Sequence, residues 1–171
     1  MAIGGIATAV GAMLLLGGGT PRRRLVVHTT GVVATSLVAA FAVMAIVGFG
    51  FGSLAGAYVG SSLVLALGVA AIGFALTGLQ MLAGRVGLVL GILGVVVFGL
   101  SLSAIGSAPE LLPAGWGTVG QLFPHGATAT ALRSVAYFDG NGAAGSLVAL
   151  GSWVVGGAVL MVLAGRARGR S

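Results

Sequence analysis

An all-α polytopic membrane protein is the fold class this sequence predicts, with five transmembrane helices, an outer re-entrant helical hairpin, the N-terminus outside and the C-terminus inside. Three observations predict it. Hydrophobic residues are 58% of the chain and charged residues only 6%, against roughly 25% charged in a soluble domain. Mean hydropathy is +1.17. The arginines, finally, lie between apolar runs rather than along one basic face, so the net charge of +6 points to membrane lipid as a partner and not to nucleic acid.

Five runs approach the roughly 20 apolar residues needed to cross a hydrocarbon core of about 30 Å. They are Ala2 to Gly18, Thr30 to Phe49, Leu54 to Leu79, Val86 to Ile105 and Ser146 to Ala164. The first is short and rich in glycine. It does not read as a secretory signal, because Arg22, Arg23 and Arg24 follow the apolar stretch, whereas a signal carries its positive region in front. Residues 1–171 are read as a single membrane domain, since no repeat and no linker divides them.

Arginines near span ends are retained on the cytoplasmic side. With the N-terminus outside, the Arg22 to Arg24 connection, the short loop with Arg85 and the tail with Arg166, Arg168 and Arg170 all fall inside. Arg133, Glu110 and Asp139 fall outside. Tyr58, Trp116, Tyr137 and Trp153 fall on or near the outer face, where an aromatic belt is expected. Glycines at three-residue separations, Gly52, Gly56 and Gly60 and then Gly87 and Gly91, predict close helix packing, because lipid supplies no hydrophobic force between helices and small residues let backbones approach.

Between the fourth and fifth runs, residues 112–140 are too polar to cross unaided and too apolar for a solvated loop. Trp116, Val119 and Leu122 or Phe123 recur at helical spacing, and so do Leu132, Val135 or Ala136, and Phe138. Pro124, His125 and Gly126 interrupt the two, since proline disfavours helical geometry in the residue before it. A hairpin that enters and leaves on the outer side is the prediction. Irregular backbone at membrane depth survives only against protein or water, so the candidate functional residues are those of the hairpin: Trp116, Gln121, Pro124, His125, Arg133, Tyr137 and Asp139. His125 is expected to cap the turn or face water, and Arg133 to pair with Glu110 or Asp139, because an unpaired charge near the membrane is costly.

Several chemistries have no residues to carry them. Cysteine is absent, which removes thiolate catalysis and cysteine metal sites. Lysine is absent too, so there is neither a phosphate-loop lysine nor Schiff-base chemistry. His28 and His125 are expected on opposite sides of the membrane, which predicts no shared metal site. Ser61, Ser62 and Ser134 have no evident base, and no span has an acid in its centre. The chain is thus expected not to be an enzyme, with no catalytic, metal or cofactor site.

The hairpin residues also carry a resemblance. Trp116 and Gly117, Gly120 and Gln121, Pro124, Gly126, the Leu132-Arg133-Ser134 and Tyr137-Phe138-Asp139-Gly140 strings, and Trp153 in the next run together resemble the C-terminal membrane region of the phage-infection-protein family, which is grouped with the permeases of type 2 ABC exporters. The likeness spans most of the chain, most strongly from Glu110 onward. It implies that the five runs are the last five of six spans, that Arg22, Arg23 and Arg24 lie in a cytoplasmic ATPase-coupling connection, and that residues 112–140 are the external hairpin. Members of the family open with a further span and a large external domain that this sequence lacks, so a fragment, split or reduced member is expected.

The expected function is that of a permease-like subunit in the plasma membrane, moving a hydrophobic or envelope-related substrate outward with a separate ATPase and a second permease copy or a missing N-terminal half as partners. The competing expectation is a scaffold or surface receptor that transports nothing.

Overall fold

The computed structural model describes residues 21–51, 57–95, 97 and 116–168. All regular structure among them is helical: α1 Pro21–Phe51, α2 Tyr58–Leu93, α3 Trp116–Leu122, α4 Pro124–Tyr137 and α5 Ala144–Arg168. Three of these are long and apolar enough to cross a membrane, over Leu25–Gly48, Tyr58–Leu93 and Ala144–Ala167. The expected run Ala2 to Gly18 lies outside the described residues, as do residues 98–115, which hold the end of the fourth expected run, Glu110 and the start of the hairpin.

Among the described residues the exterior of this bundle carries many large apolar side chains. Val38, Ile46, Val148 and Val155 are among many large side chains left exposed, far more than a water-soluble surface carries in one patch. Such a surface belongs against lipid. The interior, by contrast, is built from small residues and backbone contact.

α2 is the centre. Its 36 residues as one straight rod would measure about 54 Å, nearly twice a hydrocarbon core. They do not form one rod. Gly84, at φ 63° and ψ −141°, takes a backbone conformation open essentially to glycine alone, and the chain reverses there. After the reversal Leu88 packs with Ile72 and Leu76, and Ile92 and Val95 lie against the same group. Gly87 and Gly91 sit where a Cβ would strike Leu79 and Leu76. The expected runs 54–79 and 86–105 are therefore antiparallel neighbours as far as the second is described, with a one-residue turn in place of a loop.

Side-chain pairings fix the remaining directions. Val32 and Leu25 pack with Phe74 and Met81, while Ala40 and Met44 pack with Leu65, Ala66 and Tyr58, so α1 runs antiparallel to the first half of α2. Leu150 meets Ala71, and Met161 and Ala164 meet Phe74 and Met81, so α5 runs parallel to it. One end of the bundle thus gathers the start of α1, the Gly84 turn and the end of α5. Arg22 to Arg24, Arg85 and Arg166 all belong to that end.

Arg22, Arg23 and Arg24 are not in a connection between helices. They stand in the first turn of α1, which begins at Pro21, a residue suited to the first helical position because its missing N–H has no partner to lose there. The helix begins well ahead of Thr30, where hydropathy alone placed the span, since hydropathy reports the apolar core and not the helical turns that extend beyond it.

Candidate functional site

The polar residues of the long helices mostly satisfy themselves. Ser36 donates to the Val32 carbonyl at 2.7 Å, Ser62 to Tyr58 at 2.7 Å and Ser152 to Val148 at 2.8 Å. A hydroxyl on a helix always has the carbonyl four residues back within reach, which is how such residues lie in an apolar medium without water.

The helix pair α3 and α4 is inserted into this bundle. α4 runs antiparallel to the first half of α2: Val135 meets Gly60, Thr128 meets Gly68, and Ala127 packs with Ala71 and Leu150. Its N-terminal turn therefore lies about 20 Å along α2 from Tyr58, at about 1.5 Å per residue, deep in the bundle. The bend is at Phe123, in extended conformation with φ −76° and ψ 148°, and Pro124 opens α4. Sequence spacing put the break at Pro124, His125 and Gly126. Proline instead imposes it on the residue before itself, and His125 and Gly126 are already helical.

Three contacts hold the bend. A Cβ on Gly126 would meet the Gly120 carbonyl, so the two short helices touch backbone to backbone. The Thr130 hydroxyl donates to Gln121 Oε1, tying α4 to α3. The Trp153 indole N–H donates to the Leu122 carbonyl at 2.8 Å, and its ring lies 6.1 Å from that of Phe123. Carbonyls in the last turn of a helix have no partner within it, and here tryptophan supplies one. Trp153 is thus a strut between α5 and the hairpin bend.

His125 is the sequence-selected residue whose position differs most from expectation. It is 2% exposed, and neither ring nitrogen has a hydrogen-bond partner among the described residues. Ser61 Oγ and Thr77 Oγ1 are also unpartnered, yet each has a helical carbonyl four residues back to turn toward. His125, second in α4 after the Phe123 bend, has no such carbonyl behind it. Its partner has to come from elsewhere.

Beside it lies an apolar crevice between both halves of α2, the hairpin bend and α5. One cavity of about 220 Å³ is lined by Leu79, Leu90, Val95, Phe123, His125 and Trp153 among others. A second of about 420 Å³, between α2 and α5, shares Ala75, Leu79 and Trp153 with the first. The shared residues make the two cavities neighbours.

The other selected residues lie at the far end of the hairpin or outside description. Arg133 is exposed. Tyr137 is 73% exposed, and Asp139 holds a left-handed φ of 50° where the chain leaves α4. The Ser134 carbonyl accepts from the Phe138 and Gly140 amides at 3.0 and 2.9 Å, closing that helix end. Among the described residues Arg133 makes no ion pair with Asp139; both charges stand at an exposed end where water is a sufficient partner. Trp116 opens α3, and its side chain lies outside the described atoms. His28 is buried in α1.

The large-residue stripes chosen from spacing are only partly the packing face. Val119 and Leu122 are exposed, whereas α4 buries Ala127, Thr128, Ala131 and Ser134. In lipid the small residues turn inward.

Comparison with protein-family models, with curated proteins and with solved structures finds no match to this chain.

Proposed function

We propose that this chain is a permease-like membrane subunit of a type 2 ABC exporter system in the plasma membrane, moving a hydrophobic or envelope-related substrate outward with energy from a separate ATPase. One observation supports it above the others. The short helix α3 bends at Phe123 into α4, which folds back against it beside an apolar crevice, and discontinuous membrane helices of this kind form substrate sites. The resemblance to the phage-infection-protein family supports the same reading.

On this reading the arginine-bearing end faces the cytoplasm and meets the ATPase, and the crevice opens toward the substrate's lipid phase. The chain performs no bond chemistry. Crosslinking from a cysteine placed at Arg85, in cells, is expected to recover an ATP-hydrolysing subunit, and deletion of the gene to lower outward flux of the substrate. Recovery of no such subunit together with unchanged export overturns the proposal.

A second reading, a scaffold or surface receptor, draws on the exposed Arg133, Tyr137, Phe138 and Asp139 at the outer end of α4. Arg133→Ala with Asp139→Ala separates the two. Lost partner binding with normal flux supports the scaffold, and lost flux with an intact complex supports the permease.

A further inference from the structure

We propose that the crevice at the hairpin bend binds a neutral long-chain alcohol, with its hydroxyl on His125 and its hydrocarbon chain along Leu79, Leu90 and Trp153. The argument begins with the imidazole. A neutral histidine offers one donor and one acceptor, and both are unused and closed off from solvent here. Buried polar groups are nearly always hydrogen-bonded, and each one left unmade carries a desolvation penalty.

A hydroxyl carries one donor and two acceptor lone pairs, so an alcohol can meet whichever ring nitrogen faces the cavity that His125 lines, as donor or as acceptor. The remaining walls select against other head groups. They carry no arginine, and the lining contributed by α2 and α5 is alanine, glycine, leucine, serine and tryptophan. A phosphate or carboxylate would be desolvated there without a counter-charge, which costs far more than burying a hydroxyl. The cavity that His125 lines measures about 220 Å³, and the neighbouring one, about 420 Å³, falls by itself in the range of roughly 300–1,000 Å³ typical of small-molecule sites.

This inference deepens the permease reading and rests on it for the direction in which the ligand moves; binding itself does not. The test is therefore made on the purified full chain in lipid nanodiscs, with no ATPase present. A diazirine-bearing hexadecanol is expected to label residues around Leu79, Leu90 and Trp153, and unlabelled hexadecanol to compete about 10-fold better than its methyl ether, a difference of about 1.4 kcal/mol. His125→Phe is expected to erase that preference, and His125→Gln, which keeps a donor and an acceptor, to retain it.

Should His125→Phe not fold, the alcohol-against-ether comparison on the unaltered chain together with His125→Gln decides the matter. Equal competition by alcohol and ether, labelling away from the crevice, or equal competition by phosphatidylglycerol overturns the site. Alcohol binding without export from cells refutes the permease and leaves the site standing.

Discussion

Single atoms at Gly157 set how closely the two best-packed helices approach. A Cβ there would stand 2.6 Å from the Phe74 carbonyl oxygen and 2.7 Å from the Ala75 nitrogen, both backbone atoms that cannot swing aside. Alanine favours a helix over glycine by about 1 kcal/mol, whereas forcing an extra carbon into a closed contact costs about 1–3 kcal/mol. The clash wins, because the helix axes must separate to relieve it. Gly157→Ala is expected to destabilise the folded chain by about 1–2 kcal/mol, seen as a lower melting temperature in detergent. Gly151, on the same helix, has open space around its missing Cβ, and Gly151→Ala is expected to be neutral or to stabilise by up to about 1 kcal/mol. A fall of equal size in both would mean that the α2–α5 contact does not set stability.

Elements were legible in the sequence to the extent that lipid imposes them. The apolar runs 30–49, 54–79 and 146–164 lie within or close to the bounds of α1, the first half of α2, and α5, because the length of an apolar run answers directly to bilayer thickness. The interruption near Pro124 was legible too, since proline acts on its neighbour whatever the surroundings. What lay beyond reach was anything requiring tertiary contact. His125 reads as a turn residue because nothing local says the turn is buried, and the Trp153 strut goes unread because its partner, the Leu122 carbonyl, is far away in sequence. The inward face of α4 is legible in part: Leu132 and Val135 pack against α2 as their size suggests, whereas the buried Thr128 and Ala131 are too small to signal packing, and Leu122 of α3 and Phe138 face out. The Gly84 reversal lay one residue from Arg85, and a charge between two apolar runs was its signal. Gly84→Ala places a Cβ in a conformation that costs about 1–3 kcal/mol for residues other than glycine, with no gain in packing, since nothing lies within 4 Å of that Cβ. The expected result is a melting temperature lowered by that cost and slower recovery of the folded chain in detergent. An unchanged melting temperature would mean that the turn is not held in this geometry.

For the whole molecule, the bundle brings charges that are distant in sequence to one end. α1 starts, α2 turns and α5 finishes at the same end, so Arg22 to Arg24, Arg85 and Arg166 converge, while α4 delivers Asp139 to the opposite end beside the start of α5. Positive residues flanking membrane helices are held on the cytoplasmic side, and the desolvation of even one arginine at the bilayer centre costs about 2.5–3.5 kcal/mol on insertion scales. Several arginines at one end therefore disfavour any arrangement that splits the cluster across the membrane, and the orientation expected from their retention is the one with that end inside. The absence of cysteine makes the question directly measurable, because each introduced thiol is the sole one in the chain. In intact cells, a membrane-impermeant maleimide is expected to label Asn141→Cys, at the exposed exit of the hairpin, and to leave Arg85→Cys and Ala167→Cys untouched until the cells are opened. His125→Cys is expected to resist labelling in both cases, since that position is enclosed by α2 and α5. Labelling of positions 85 and 141 from the same side would break the antiparallel order that puts the reversal and the hairpin exit at opposite ends, and labelling of 167 from outside would invert the orientation on which an ATPase meeting the arginine end depends.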